Sequence, residues 1–168
     1  MAKLKLVRSA PTPLAGLYTS GRKRKQSVST PGWFLDAVRE GLRLQVIPLD
    51  PCAYPNPRRH FAQINWTRGG LRREWCAPAY CNPPYVNLVE WLAYARHEAL
   101  RTGFPTVFLG PWRSHRLGFC EALRGAQVHF FKAFPFVGHL NSPPFPVFAA
   151  AWHVTLPRTP YEMDRKQW

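Results

Sequence analysis

The chain has 168 residues, 46% of them hydrophobic, which suits one domain with a real core and excludes a disordered chain. Its 23 Lys and Arg against 9 Asp and Glu leave a net charge of +14, an excess that favours a polyanionic partner through phosphate contacts and counterion release. No apolar stretch reaches the ~18 residues of a membrane span, and no basic amphipathic helix suits an anionic membrane surface. Cys52, Cys76, Cys81 and Cys120 form no Cys-x-x-Cys pair, and no Cys/His spacing is that of a zinc site. Without a secretory h-region and cleavage site, the expectation is a reducing, cytoplasmic setting and no metal.

In chain order, residues 1–28 read as a basic flexible tail. Lys3, Lys5, Arg8, Arg22, Lys23, Arg24 and Lys25 fall there without a single acid, and Pro, Gly, Ser and Thr interrupt any period. The ordered domain is placed at 29–157, with a C-terminal tail at 158–168. Ser29 or Thr30 is expected to cap a first helix, with Pro31 in its first turn. Trp33, Phe34, Ala37, Val38 and Leu42 recur at helical spacing, and Gly41 is expected to end that helix. Leu44 to Leu49 reads as a strand stopped by Asp50-Pro51. Residues 51–75, rich in Pro, Arg and Gly, read as irregular.

A second short strand is expected at 77–81, a helix from Leu88 to Leu100, and a buried strand from Phe104 to Leu109. Another helix is expected at 114–124, then strands at Gln127–Phe131 and Phe145–Val154. Short apolar strands alternating with helices predict an α/β domain with a largely parallel sheet. Ligands of such sheets sit beyond the carboxyl ends of the strands. Asp50-Pro51-Cys52-Ala53 and Asn82-Pro83-Pro84-Tyr85 each follow a strand, so both are predicted on one edge.

The second turn is the most specific feature of the chain. The Asn82 side-chain oxygen and the Pro83 carbonyl are acceptors for a flat amino group. Pro83 and Pro84 fix the backbone in advance, and Tyr85 offers a face for a planar ring. A flipped nucleobase with an exocyclic amine fits this set. Asn-Pro and Pro-Pro are also common turn signals, and 18 of the residues are proline, so the tetrapeptide gains weight only from its surroundings. Ser142-Pro143-Pro144-Phe145 has a similar form but precedes a strand, as a hairpin turn does. The basic side chains Arg58, Arg59, Arg68, Arg72 and Arg73, with Arg113 and Arg116 beyond a later strand end, are candidates for DNA phosphates. Cys52 and Cys81 flank the site as packing residues rather than nucleophiles.

Taken together, these segments resemble the small phage-type DNA N-6-adenine methyltransferases, the Dam-like family. The resemblance is carried by Thr30-Pro31-x-Trp33, by Asp50-Pro51-Cys52-Ala53, and by Trp75 followed by Cys81-Asn82-Pro83-Pro84-Tyr85. Trp91 to Ala95, Val107 to Pro111, Phe134, and Ser142 to Phe145 with the strand to Trp152 continue it, so that it spans roughly 29–155. It implies a compact Rossmann-like methyltransferase fold, mostly parallel with a C-terminal hairpin. It also implies S-adenosyl-L-methionine as methyl donor, adenine in DNA as acceptor, and a phage or prophage origin. Asn82 and the Pro83 carbonyl would accept from the target amine while Tyr85 stacks on the base. Thr30, Pro31, Trp33, Asp50, Pro51, Cys52 and Ala53 would hold the cofactor. Two other readings stand beside it: amino-methylation of cytosine or RNA, and a non-catalytic, basic nucleic-acid-binding protein.

Overall fold

The computed structural model describes residues 29–132, 134, 136–137, 145–159 and 161–163. The basic tail at 1–28 and the Ser142-Pro143-Pro144 turn lie outside the described residues. Helix α1 spans Gly32–Leu42 and buries Phe34, Leu35, Ala37 and Val38, the stripe that the helical period predicts. Its cap residue is Pro31, and neither Ser29 nor Thr30 caps it. The helix also runs past Gly41 and ends at Arg43, which adopts the left-handed conformation (φ 57°) and donates its N–H to Arg39 and Glu40 carbonyls. Gly41 serves another purpose: a Cβ there would lie 3.0 Å from the Thr155 carbonyl and 3.1 Å from Leu156, so glycine lets the C-terminal segment pack against the helix.

The strands are β1 (Ile47–Asp50), β2 (Ala62–Asn65), β3 (Ala79–Cys81), β4 (Thr106–Pro111), β5 (Gln127–Phe131) and β6 (Val147–Trp152), and the two further helices are α2 (Leu88–Thr102) and α3 (Phe119–Ala122). They form one six-stranded sheet in the order β2-β1-β3-β4-β6-β5. The β2–β1, β1–β3 and β3–β4 pairs are parallel, while β6 runs antiparallel to both β4 and β5. The α/β class and the mostly parallel sheet are therefore as expected.

Side chains alternate between two cores, as the two-residue period of a strand requires. Tyr80, Val107, Leu109, Val147, Ala149 and Ala151 join α1 on one face. Ala79, Cys81, Phe108, Phe148, Ala150 and Trp152 join α2 and α3 on the other. Helices thus cover both faces, which is why the strands read as continuous apolar runs.

Three expectations need correction. β1 starts at Ile47, with Leu44 and Val46 exposed before it, and includes Asp50. Residues 51–75 are not wholly irregular: β2 adds an edge strand to β1, with Ile47 opposite Ala62 and Asp50 opposite Asn65. Its half-exposed Ala-Gln-Ile-Asn sequence carries little apolar signal. The helix expected at 114–124 is only one turn, because Gly118 takes a left-handed φ of 78° just before it.

The segment between β2 and β3 is tied to α2. Glu98, 2% exposed, accepts the Trp75 backbone N–H at 2.6 Å and pairs with Arg101 at 2.6 Å. The Trp75 indole donates to the Gly70 carbonyl at 3.0 Å. Among the described residues no helix is long and apolar enough to cross a membrane.

Arg43 holds a conformation that costs a side-chain-bearing residue about 1 kcal/mol. Arg43→Gly is expected to raise the thermal unfolding midpoint by about 2–4 °C for a chain of this size. A thermal melt checks this; an unchanged or lower midpoint would mean that the Arg43 side chain itself offsets the strain.

Candidate nucleic-acid and cofactor site

The chain passes from β1 outward to β2 and then back across β1 to β3, so the direction of winding reverses between β1 and β3. The turns after these two adjacent parallel strands are Asp50-Pro51-Cys52-Ala53 and Asn82-Pro83-Pro84-Tyr85. The fold therefore brings the two sequence candidates together, and named contacts join them. The Cys52 and Cys81 sulfurs lie 3.4 Å apart. Asn82 Nδ2 donates to Thr30 Oγ1 at 3.2 Å, and that hydroxyl is 2.6 Å from the Tyr80 hydroxyl. Thr30 is thus not a helix cap but a bridge from the start of α1 to the Asn82 turn.

Asp50 is 5% exposed. Burial pushes its carboxyl up to about 6, against the backbone N–H of Cys52, the Cys52 thiol and His60, which all favour the charged form. The Cys52 N–H donates to Oδ1 at 3.0 Å, and the Cys52 thiol reaches the same oxygen at 3.5 Å. Burial also pushes both the Cys52 and Cys81 thiols up, so they remain neutral packing groups and poor nucleophiles. Pro51, Ala53 and Pro83 are buried behind the turns.

Tyr85 opens a short 3-10 turn, Tyr85–Asn87, that leads directly into α2. Its hydroxyl is buried and has no hydrogen-bond partner among the described residues, and burial pushes the phenol well up. Its ring meets Phe145 edge-on, with centroids 6.0 Å apart at 87°. The Arg113 guanidinium lies 5.3 Å from the Phe145 ring centre. Arg113, Phe145 and Tyr85 therefore form a continuous wall beside the Asn82 turn. In the sequence Phe145 reads as the end of a hairpin turn and the start of a strand, with no role in the site.

The other basic candidates lie in the segments before and after β2. Arg58 and Arg59 lie in the connection from β1 to β2, and Arg59 stacks over Tyr54 at 4.7 Å. Arg68, Arg72 and Arg73 follow the end of β2, and Arg73 stacks over Trp66 at 5.2 Å. All five are exposed, as is Arg116. Trp33 is placed differently from its neighbours in the sequence: its ring contacts are Phe34, Phe131, Phe134 and Tyr161, an aromatic cluster under α1. It is half-buried there and packs with the core rather than with Asp50 or Asn82.

Two site residues escaped sequence reasoning. Asn65 ends β2 beside Asp50; its Nδ2 donates to the Ala62 carbonyl at 2.6 Å, and its Oδ1 is buried without a partner among the described residues. The only signal for it was a strand that could not be read. Gly70 sits directly on the Asp50 turn, where a Cβ would fall 1.9 Å from the Pro51 carbonyl oxygen and 2.9 Å from Trp91. Three adjacent strand ends thus present Asn65, Asp50 and Asn82 in a row. This set offers a carboxylate, amide acceptors and an aromatic wall, which suits a ligand with a cationic group and a planar base. Among the described residues, no three of His, Cys, Asp and Glu group as a metal site. No family model and no curated protein matches the chain.

The raised Asp50 carboxyl makes a signed prediction. Folding favours the protonated form, so this contribution to stability is complete below the ordinary value of 3.8 and is lost as pH rises through about 6. Above that the buried charge costs on the order of 3 kcal/mol. Asp50→Asn, which keeps an acceptor for the Cys52 N–H, is expected to be more stable than the parent at pH 7.5 and to flatten the loss of stability between pH 4 and 6. Urea unfolding across that range checks it; a variant less stable at pH 7.5 would mean that the carboxylate is stabilised there, not strained by burial.

Proposed function

We propose that the protein is a Rossmann-like, S-adenosyl-L-methionine-dependent methyltransferase that modifies the exocyclic amine of adenine in DNA. The observation that carries this reading is the meeting of the Asp50 turn and the Asn82-Pro83-Pro84-Tyr85 turn at the winding reversal of a mostly parallel sheet. The antiparallel β5–β6 pair at the C-terminal side of the sheet accords with the hairpin that the family resemblance implies. The residues suit the donor: a buried carboxylate whose charge lacks full compensation favours an ammonium group, and the buried Asn65 oxygen one strand away favours a hydroxyl. The cofactor supplies an electrophilic sulfonium methyl.

Under this reading Asn82 Oδ1 and the Pro83 carbonyl accept the two hydrogens of the target amine. That geometry raises electron density on the nitrogen and directs its lone pair out of the base plane. Thr30, held by Tyr80, steadies the Asn82 amide. Tyr85, with Phe145 against it, walls the base on one side and keeps water from that face. An aromatic amine is weakly basic, so positioning and electrostatics replace a strong general base. The exposed Arg58, Arg59, Arg68, Arg72, Arg73 and Arg116, with Arg113, would take the phosphates, in keeping with the +14 charge.

Transfer of labelled methyl from S-adenosyl-L-methionine to unmethylated duplex DNA, with nucleoside analysis, tests the proposal. Label is expected in N-6-methyladenine, and Asn82→Ala is expected to lower the rate by about 100-fold or more with DNA affinity within a few-fold of the parent. Label in cytosine or RNA would move the assignment to those amines. No label on any nucleic acid and no cofactor binding would leave a basic binding protein.

A further inference from the structure

We propose that Leu117 is a wedge that enters the duplex at the place vacated by the target base, a role that rests on the methyltransferase reading. Leu117 is 99% exposed, whereas the next most exposed large hydrophobic among the described residues, Val86, is at 76% and the others lie lower still. Full exposure of leucine forgoes roughly 1.5–3 kcal/mol of burial, which insertion between base steps would recover.

The segment around it is built to hold it out. Trp112 donates its backbone N–H to Pro146 at 2.8 Å and packs its ring on Phe119, Phe130 and Phe148. Two successive turns follow, from Arg116 N–H to Arg113 carbonyl at 2.8 Å and from Phe119 N–H to Arg116 carbonyl at 3.1 Å. Phe119 is fully buried at the far side. Leu117 is thus the tip of a knuckle anchored at both ends by core aromatics. The knuckle belongs to the site: Arg113 reaches Tyr85 through Phe145, and Gly118 faces Val89 in the first turn of α2.

The occupant follows from charge and shape. Arg113, His115 and Arg116 flank Leu117 in the chain, and 112–120 holds no acid, so a phosphate-lined groove is a good match. An enzyme that extrudes a base must offset the lost stacking, and an aliphatic side chain inserted between base steps does so.

The test uses the full chain and a duplex carrying the context that the parent protein labels. Leu117→Ala is expected to lose about tenfold or more in single-turnover methyl transfer on the matched duplex. It should recover to within about twofold of the parent when the target adenine faces an abasic site or lies in single-stranded DNA. The rise of 2-aminopurine fluorescence at the target position should fall with it, while Leu117→Met keeps both. Equal loss on all three substrates, or no loss on the duplex with an active parent, would overturn the wedge. A parent inactive on every substrate would instead sink the reading on which it rests.

Discussion

In a parallel sheet the turn after every strand emerges on the same edge, and the strand order decides which turns become neighbours. Here β1 lies between β2 and β3, so the turns after residues 50, 65 and 81 come out side by side although the chain between them is long. Everything polar at the site depends on that arrangement. Asp50 and Asn65 end paired strands, and Asn82 directly follows one. Leu49, Tyr80 and Cys81 are completely buried beneath the turns, so the site rests on packed core and not on flexible loops.

The same arrangement has an electrostatic consequence. A carboxyl at the end of a buried strand has lost water, and the donors around it are a backbone N–H and a neutral thiol. The result is a group poised between charged and neutral near pH 6. Such a group is a poor structural element and a good receptor for a cation, because an arriving ammonium restores the charge that burial disfavours. The surrounding protein is strongly positive, but its arginines lie outward, two of them stacked on Tyr54 and Trp66. The buried carboxylate therefore sits inside the edge and the exposed guanidinium groups outside it.

Much of this was legible in the residues. The apolar runs that became β3, β4, β5 and β6 stand out because helices cover both faces of the sheet, and the two turns could be placed on one edge from strand direction alone. What stayed hidden was set by tertiary contact. β2 is an edge strand with only one side paired, so its half-exposed residues show no apolar pattern. Gly41 looked like a helix stop because glycine favours such positions, yet it is needed for close packing against the C-terminal segment, while Arg43 takes the left-handed residue's place. Trp33 lies in a segment likened to a cofactor-binding one, and its half-buried indole packs among Phe131, Phe134 and Tyr161. Asn65 and Gly70 could be recognised only once β2 and the fold of its following segment were in place.

Gly70 bears on how the two halves of the site act together. The turn after β1 carries Tyr54 and Pro55 and no glycine of its own, yet its backbone is approached so closely that a Cβ at Gly70 would occupy the Pro51 carbonyl. Gly70 is also held from the other side, since its carbonyl accepts the Trp75 indole, and Trp75 is fastened to Glu98 of α2. The segment bearing Arg68, Arg72 and Arg73 is therefore clamped between the Asp50 turn and α2, with no slack at its centre. The Asp50 turn and the arginine-bearing segment are thus joined through packed backbone rather than through a hinge.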